Sequence, residues 1–285
     1  MEKIGIIGTG LIGGSFGLAL QKTGRRIYAA DKNPEHLREA LSRGLAHDVL
    51  TDDNLRQMDG LILAVPVDKL PGLAWEMLDK TASHTWIFDT GSIKSNIARA
   101  VASHPQRKRF ILSHPIAGTE YSGPQAAVEN LFEGKMNIIC DPDDSDPGML
   151  QRVVDLHAEL GMTTRFLASD EHDRHIAYVS HLSHVSSFLL GKTVMDVEKS
   201  EENIYLMAGS GFASTVRLAK SSPDTWTPIF MENKQYLLEV LSRYMENLKN
   251  FATLLERGDA DQIHRWLTEI NRIGRVIDRI KHDGR

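Results

Sequence analysis

Three side chains in this sequence stand where they could act on a small molecule. His114 and Ser92 each follow a short apolar run that is typical of a β-strand, and Arg217 lies much further along the chain. An imidazole can accept a hydroxyl proton near neutral pH, and a guanidinium can bind a carboxylate through two parallel hydrogen bonds. Taken alone, His114 could instead be a hydrogen-bonded loop histidine, Ser92 a helix cap and Arg217 an exposed helix arginine.

The start of the chain carries the pattern of a dinucleotide-binding turn. An apolar run at 4–7 leads into Gly8, Thr9, Gly10, Leu11, Ile12 and Gly13, and a helical pattern then extends to about Gln21. The first glycine allows a tight turn, the second lets the backbone approach a pyrophosphate, and the third lets helix and strand pack closely. The helix N-terminus would present free N–H groups to the phosphates.

Asp31 ends the next strand candidate and has the position of an acid that accepts hydrogen bonds from ribose hydroxyls. Its charge would repel a 2′-phosphate, so NAD is predicted as the cofactor rather than NADP, although the adjacent Lys32 weakens that preference. A helix-capping acid is the alternative for Asp31. Val65 and Pro66, at the end of another strand candidate, are also predicted to contact the cofactor.

The elements that must hold these residues alternate along the first part of the chain. Strand candidates are separated by amphipathic helical stretches, which predicts an α/β fold with a Rossmann-like, doubly wound, mainly parallel sheet over residues 1–167. The strand candidates are Lys3–Gly8, Arg26–Ala30, Gly60–Val65, Thr85–Asp89, Arg109–Ser113, Met136–Cys140 and Thr163–Leu167.

Strand signals stop after about residue 168, which predicts a second, all-α domain over 168–285. Ser169 has the features of a helix start, and so does Ser222 followed by Pro223. Apolar residues keep helical spacing from Trp226 to Leu255, which predicts one helix of about nine turns. Such a helix could form the spine of a homodimer or pack within one subunit.

Composition narrows the possible partners and cellular locations of the protein. The 285 residues carry 33 basic and 38 acidic side chains, a net charge of −5, which does not favour nucleic acid as a partner. Cys140 is the single cysteine and is predicted to be a packed thiol rather than a nucleophile, as suits a reducing cytoplasm. No apolar run reaches the roughly 20 residues of a membrane helix. We expect no signal peptide before Lys3 and no regulatory domain after the last helix.

Five segments, in order, make the chain resemble the TyrA family of prephenate and arogenate dehydrogenases. The segments are Gly8–Gly13, Asp89–Lys94, His114–Glu120, Ser180–His184, and Arg217–Lys220 followed by Pro223 and Trp226. The resemblance implies oxidative decarboxylation of a cyclohexadienol, in which a hydride leaves C4 for the nicotinamide, the C4 hydroxyl loses its proton and the ring carboxylate leaves as CO₂. Aromatisation of the ring helps to drive that reaction, and no metal is needed.

Roles for individual residues follow from the resemblance. His114 would accept the hydroxyl proton, Ser92 would hold the same hydroxyl and help orient the imidazole, and Arg217 would bind a substrate carboxylate. His181, His184, Thr119, Glu120 and Trp226 are the further substrate-binding candidates.

Alternatives remain for several of these candidates. The two histidines could be packed or surface residues, or a zinc pair with His172 and His175 nearby. Trp226 could wall the pocket or only anchor its helix, and Glu120 could gate the pocket by pairing with Arg217.

One departure from the family bears on the substrate. Many members place an acid shortly before the arginine, whereas the stretch Gly211–Val216 contains none. A partner for an ammonium group is therefore missing, which favours prephenate, a keto acid, over arogenate, its amino acid. The resulting prediction is NAD-dependent conversion of prephenate to 4-hydroxyphenylpyruvate in tyrosine biosynthesis. The rivals are an arogenate dehydrogenase, a 3-hydroxyacid dehydrogenase or imine reductase, and an NAD-sensing module without catalysis.

Overall fold

A computed structural model describes residues 1–119, 121–198 and 203–282 of the chain. The strands are β1 (Lys3–Ile7), β2 (Arg26–Ala30), β3 (Asp48–Val49), β4 (Gly60–Leu63), β5 (Trp86–Asp89), β6 (Phe110–Pro115), β7 (Met136–Cys140) and β8 (Thr163–Leu167). The helices among and directly after them are α1 (Leu11–Lys22), α2 (Pro34–Ser42), α3 (Asp52–Leu55), α4 (Leu70–Lys80), α5 (Ser95–Val101), α6 (Pro147–Glu159) and α7 (Ser169–Ile176). A π-helical turn, Ala177–His181, joins α7 to α8 (Leu182–Glu198), and the remaining helices are α9 (Ser210–Thr215), α10 (Pro223–Glu232), α11 (Lys234–Glu256), α12 (Ala260–Ile270) and α13 (Gly274–His282).

The strands form one sheet in the order β3-β2-β1-β4-β5-β6-β7-β8. Every neighbouring pair is parallel except β6 and β7, which are antiparallel. The mainly parallel sheet is confirmed, and the predicted strands differ from the observed ones by at most two residues at an end. The two-residue strand β3 and the reversal at β7 were not predicted. Because β1, β4, β5 and β6 are parallel, their carboxyl ends meet at one edge of the sheet.

Helices cover both faces of this sheet, so the central strands β4, β5 and β6 are buried along their whole length. On one face Phe16 of α1 packs against Phe88 of β5, with ring centroids 5.6 Å apart. On the other face Ile87 lies among side chains from α4 and α5. Cys140 is fully buried in β7, and burial raises the pKa of its thiol, as befits the predicted packed thiol.

His157 of α6 is a titratable group inside this core. It is fully buried, its Nδ1 lies 2.7 Å from the Val153 carbonyl oxygen, and its ring packs edge-on against Phe16. Burial lowers the pKa of His157 from 6.5 to about 4. The unfolded chain therefore binds a proton that the folded chain rejects as the pH falls below 6.5. Between pH 8 and pH 5 this difference is expected to cost about 2 kcal/mol of unfolding free energy.

Replacing His157 with leucine should remove that cost. We expect His157→Leu to raise the melting temperature relative to the unchanged protein more at pH 5 than at pH 8, measured by thermal denaturation at both pH values. His84→Leu, at an exposed position, provides the control and should show no such pH-dependent difference. An equal effect of His157→Leu at both pH values would contradict the expectation.

The helical region departs from its prediction at one point. Ser222 and Pro223 begin α10 as predicted, with Ser222 at the N-cap. The single long helix is wrong, because α10 and α11 are separated at Asn233, whose backbone lies at φ −105° and ψ 24°. The Asn233 side chain is buried and bonds to residues of α7 and of the π-helical turn. The helix start predicted at Ser169 is confirmed, because α7 begins at this residue.

Most of the large apolar side chains that remain exposed lie in this helical region. Leu189 and Met195 of α8, and Leu248 of α11, are each more than half exposed. None of the helices in the described ranges is long and apolar enough to cross a membrane.

Candidate functional site

The residues predicted to bind a dinucleotide meet at the carboxyl edge of the central strands. Gly8 follows β1 in a left-handed conformation (φ +95°), which favours glycine. A side chain at Gly13 would overlap the Gly8 carbonyl oxygen, so the third glycine allows the close approach of α1 to the turn. Val65 lies against the same turn, since an ideal Cβ on Gly8 would be 3.1 Å from its Cγ1. Pro66 is exposed beside it.

The middle glycine leaves room for a ligand. Gly10 is the N-cap of α1, and no side chain in the described ranges caps the helix. Apart from its own chain neighbours, no described residue has a heavy atom within 4 Å of the position that a Cβ on Gly10 would take. The backbone N–H groups of the first turn therefore point toward open space at the positive end of the helix dipole. Such a cradle fits a pyrophosphate.

Asp31 supports this turn directly. Its Oδ2 accepts hydrogen bonds from the backbone N–H and the hydroxyl of Thr9, at 2.8 and 2.9 Å, and its Oδ1 accepts one from the Asn33 N–H at 2.9 Å. The capping alternative for Asp31 is wrong, because Asn33 is the N-cap of α2 and accepts the Glu35 N–H. Oδ2 is filled by its two bonds to Thr9, whereas Oδ1 retains a lone pair that a ribose hydroxyl could use.

His114 lies near the end of β6, at the same edge. Its side chain is buried, and its Nδ1 lies 2.8 Å from His172 Nε2. Burial is the main cause that lowers the pKa of His114 well below 6.5, and His172, Lys94 and His181 act in the same direction. The imidazole is therefore neutral at physiological pH and can accept a proton.

Ser92 does not cap a helix, which corrects one of its two predicted roles. The helix α5 begins at Ser95, and its first N–H groups are capped by a residue distant in sequence: the Asp173 carboxylate accepts from Lys94 N and Ser95 N, each at 2.8 Å. The Ser92 hydroxyl is buried and has no hydrogen-bond partner within the described ranges. Because a buried hydroxyl normally has a partner, it is suited to binding a ligand.

Four candidates from the helical region lie together. The rings of His184 and Trp226 are stacked with centroids 3.3 Å apart, and His181 meets the same indole edge-on at 6.0 Å. Arg217, exposed on the 3₁₀ turn after α9, is close enough to His184 to contribute, after burial, to the lowering of the pKa of that histidine. His181 is linked to the β6 histidine through contacts of Asn233, Asp173 and His172, and it helps to lower the pKa of His114.

Of the two predicted substrate residues Thr119 and Glu120, one lies within the described residues. Thr119 is exposed, and its hydroxyl accepts a hydrogen bond from the Tyr121 N–H at 3.2 Å. Glu120 lies outside the described residues. The zinc alternative for the histidines finds no support, because no cluster of three or more potential ligands is placed to hold a metal ion within 1–119, 121–198 and 203–282.

Several buried polar residues of the site were not predicted. His172, Asp173 and Asn233 are buried in the helical region, and Lys94 is fully buried with its Nζ bonded to the Asp89 carboxylate and, at 2.7 Å, to the Ser113 carbonyl oxygen. The spacing of the sequence contained one signal for these residues. Asp173, Ala177 and His181 recur every four residues, so they share one side of a helix, and all three are buried in the structure. A histidine and a carboxylate on the same side as a buried alanine indicate an inward-facing polar group.

The chain matches known proteins along nearly its whole length. The family model for the prephenate dehydrogenase nucleotide-binding domain matches residues 16–165, and the model for the prephenate dehydrogenase dimerization domain matches residues 168–269. Cyclohexadienyl dehydrogenase of Zymomonas mobilis is 30% identical to this chain and aligns with 99% of it and 98% of its own length.

Solved structures give the same result. A crystal structure of prephenate dehydrogenase from A. aeolicus, in complex with hydroxyphenyl propionate and NAD⁺, superposes with a TM-score of 0.87 at 28% identity, covering 97% of this chain and 98% of that one. Synechocystis arogenate dehydrogenase superposes with a TM-score of 0.79 at 26% identity, covering 98% of this chain and 99% of that one. With two family models that together cover most of its length, the chain belongs to the prephenate dehydrogenase family.

Proposed function

We propose that the protein catalyses NAD-dependent oxidative decarboxylation of prephenate to 4-hydroxyphenylpyruvate, a step of tyrosine biosynthesis. The observation that carries this proposal is a buried, neutral imidazole, His114, at the edge of the sheet that also holds the glycine turn. Family membership and the NAD⁺ complex of the A. aeolicus relative support the same reaction.

The bound cofactor would be NAD, whose nicotinamide supplies the hydride acceptor. The glycine turn would hold its pyrophosphate, and Asp31 would accept hydrogen bonds from its adenosine ribose. Gly10, with open space where a Cβ would be, is the position that lets the backbone approach.

His114 would move the proton in this reaction. It takes the C4 hydroxyl proton as the hydride leaves C4, and loss of CO₂ then places the electron pair of the broken C–C bond in the ring. The phenolate oxygen finally recovers a proton, so His114 acts first as a base and then as an acid. The unpartnered Ser92 hydroxyl would hold the substrate hydroxyl beside the imidazole.

The carboxylates and the ring of the substrate would be bound by the helical region. Arg217 would bind one carboxylate through its planar fork, and His184 with Trp226 would form a wall of the pocket. His181 adds a buried N–H donor, described below. Thr119 and Glu120 remain proposed substrate residues on the loop after β6.

Prephenate is proposed as the substrate because no acidic side chain lies in Gly211–Val216 to pair with an ammonium group. Steady-state turnover of prephenate and arogenate, each with NAD and with NADP, tests this directly through NADH or NADPH absorbance. We expect a higher kcat/KM for prephenate with NAD. A higher kcat/KM for arogenate would overturn the substrate assignment, and no turnover of either would overturn the proposed function.

Asp31 gives a test of cofactor choice. Asp31→Asn removes the charge and preserves the size of the side chain, but its single amide oxygen can accept from only one of the Thr9 and Asn33 N–H groups. Because hydrogen bonds to charged groups contribute about 1.5–3 kcal/mol, we expect kcat/KM for NAD to fall roughly 10–100-fold. With NADP the loss should be smaller, since repulsion of the 2′-phosphate is relieved. Kinetics with both cofactors check this, and an unchanged ratio of the two kcat/KM values would contradict it.

We also propose that residues 1–167 form the nucleotide domain and that 168–285 form a homodimerising domain. Exposed apolar side chains on α8 and α11, such as Leu189 and Leu248, support burial against a second copy. The matched family model describes this region as a dimerization domain. Sedimentation equilibrium would give the mass of a dimer.

A cytoplasmic location is part of the proposal, since Cys140 is a buried free thiol.

A further inference from the structure

From His114 a chain of hydrogen bonds continues into the helical region. His114 Nδ1 lies 2.8 Å from His172 Nε2, and His172 Nδ1 lies 2.8 Å from Asp173 Oδ1. The three residues are 9%, 3% and 1% exposed, so water does not compete for these bonds. The two residues of α7 are therefore linked directly to the proposed base.

The carboxylate at the end of this chain is held in its ionised form. Burial by itself would raise the pKa of Asp173, but hydrogen bonds from His172 and from the N–H groups of Lys94 and Ser95 hold it below its ordinary value. Both backbone bonds are 2.8 Å long and use different oxygens. An ionised carboxylate can only accept, so the proton between Asp173 and His172 is on His172 Nδ1.

The remaining proton positions follow from this one. When His172 is neutral, its single N–H is the one bonded to Asp173, so its Nε2 accepts and His114 donates to it from Nδ1. The lone pair of His114 is then on Nε2, away from His172. We propose that His172 and Asp173 are positioning residues that fix His114 as the tautomer with a free Nε2. During the reaction they also accommodate the positive charge that arises when His114 accepts the substrate proton.

In the proposed charge transfer His114 gains one proton at Nε2 and loses one from Nδ1. When His114 Nε2 accepts the substrate hydroxyl proton, its Nδ1 proton can pass to His172 Nε2. His114 is then neutral again, and the positive charge is on His172 beside the Asp173 carboxylate. Return of a proton to the phenolate oxygen reverses both transfers.

The surroundings explain why the charge should move. Lys94, at the start of α5, lowers the pKa of His114 and so disfavours a cation there. The Lys94 charge is paired with Asp89, whereas Asp173 is directly bonded to His172. A cation on His172 is therefore closer to a negative partner than a cation on His114 would be.

Asn233 holds the far end of this arrangement. Its Nδ2 donates to the Asp173 carbonyl oxygen at 2.8 Å, which orients the amide, and the same nitrogen lies 3.1 Å from His181 Nδ1. His181 Nδ1 must then be an acceptor, and its proton lies on Nε2. That buried N–H has no partner within the described ranges and is available to a ligand.

Because the kinetic part rests on the proposed function, the first test needs no substrate. Side-chain ¹⁵N shifts of ¹⁵N-histidine-labelled protein, with His114 assigned by the signals lost in His114→Asn, report which nitrogen is protonated. We expect His114 to carry its proton on Nδ1 from pH 6 to pH 8. A proton on Nε2 would overturn the proposal, whether or not prephenate is turned over.

The second test uses two substitutions at His172. In His172→Leu the Nδ1 partner is lost, and we expect kcat for prephenate to fall about 30-fold, with KM changed less than threefold. The wild-type acid limb of the kcat/KM profile reports proton uptake by the bonded pair of His114 and His172, whose charge Asp173 stabilises. Without His172 the charge must stay on His114, so the acid limb should move to lower pH. In His172→Gln the side-chain oxygen can accept from His114 Nδ1, so the tautomer and part of kcat should be recovered, while the acid limb stays low.

The control is His175→Leu, at an exposed position on the same helix, which should retain the wild-type profile. A lower kcat in His172→Leu with an unchanged acid limb, or one that moves to higher pH, would indicate a purely structural role and would overturn the charge transfer. If the unchanged protein turns over neither prephenate nor arogenate, the proposed function fails, and the tautomer measurement still decides the arrangement of protons.

Discussion

Replacing His114 with asparagine is expected to lower kcat for prephenate about 10²–10⁴-fold, the usual cost of losing a general base. The asparagine amide can still donate a hydrogen bond to His172 Nε2, so the buried chain behind it need not collapse. The substrate carboxylates are bound elsewhere, and KM should change by no more than a few-fold. NADH formation, followed with saturating prephenate and NAD, measures the effect.

The size of this loss in kcat depends on whether another group can accept the C4 hydroxyl proton. The His114 side chain is buried, so water has poor access to the C4 hydroxyl, and Ser92 cannot hold a second proton. His175→Asn, at an exposed position, is the matched control and should have wild-type kinetics. If His114→Asn kept kcat within tenfold of wild type, with the same pH dependence, another group would have to be the base.

The cofactor turn could be predicted in detail because its function depends on the backbone. Gly8, Gly10 and Gly13 are needed for a positive φ, for open space and for close packing, and these requirements depend on glycine at fixed spacing. Asp31 follows at the end of the next strand for the same topological reason. A local pattern was therefore sufficient for this part of the fold.

The prediction that Ser92 caps a helix is wrong because a residue distant in sequence caps that helix. A serine after a strand and before an apolar helical stretch is typical of an N-cap. In the structure the N–H groups at the start of α5 are bound by Asp173, 78 and 79 residues away in sequence. Because that carboxylate caps the helix, the Ser92 hydroxyl is left without a partner among the residues that the structure describes and can bind the substrate.

The prediction of one long helix is wrong for a similar reason. Apolar spacing continues through 226–255, but spacing does not report that the Asn233 side chain reaches Asp173 and His181. Those bonds hold a non-helical residue between α10 and α11. In both cases the deciding contact joins residues that are far apart in sequence, and both contacts belong to the site rather than to the core.

Replacing Arg217 with alanine is expected to raise KM for prephenate roughly 10–100-fold, because charge-assisted hydrogen bonds to a carboxylate contribute about 1.5–3 kcal/mol. Folding should be intact, since Arg217 is exposed on a surface turn. The kcat should fall less than KM rises, because the arginine would bind a carboxylate rather than the reacting hydroxyl. Initial rates over a range of prephenate concentrations separate the two parameters.

Two matched variants make this expectation specific. Arg217→Lys preserves the charge but not the planar fork, so KM should lie between wild type and Arg217→Ala. Lys220→Ala removes an exposed charge from the same turn and should leave KM unchanged. Salt adds an independent readout: KM of the unchanged protein should rise with ionic strength more steeply than KM of Arg217→Ala, because the variant has already lost the attraction that salt screens. An unchanged KM in Arg217→Ala would remove Arg217 from the site, and the carboxylate partner would then have to be sought on another element.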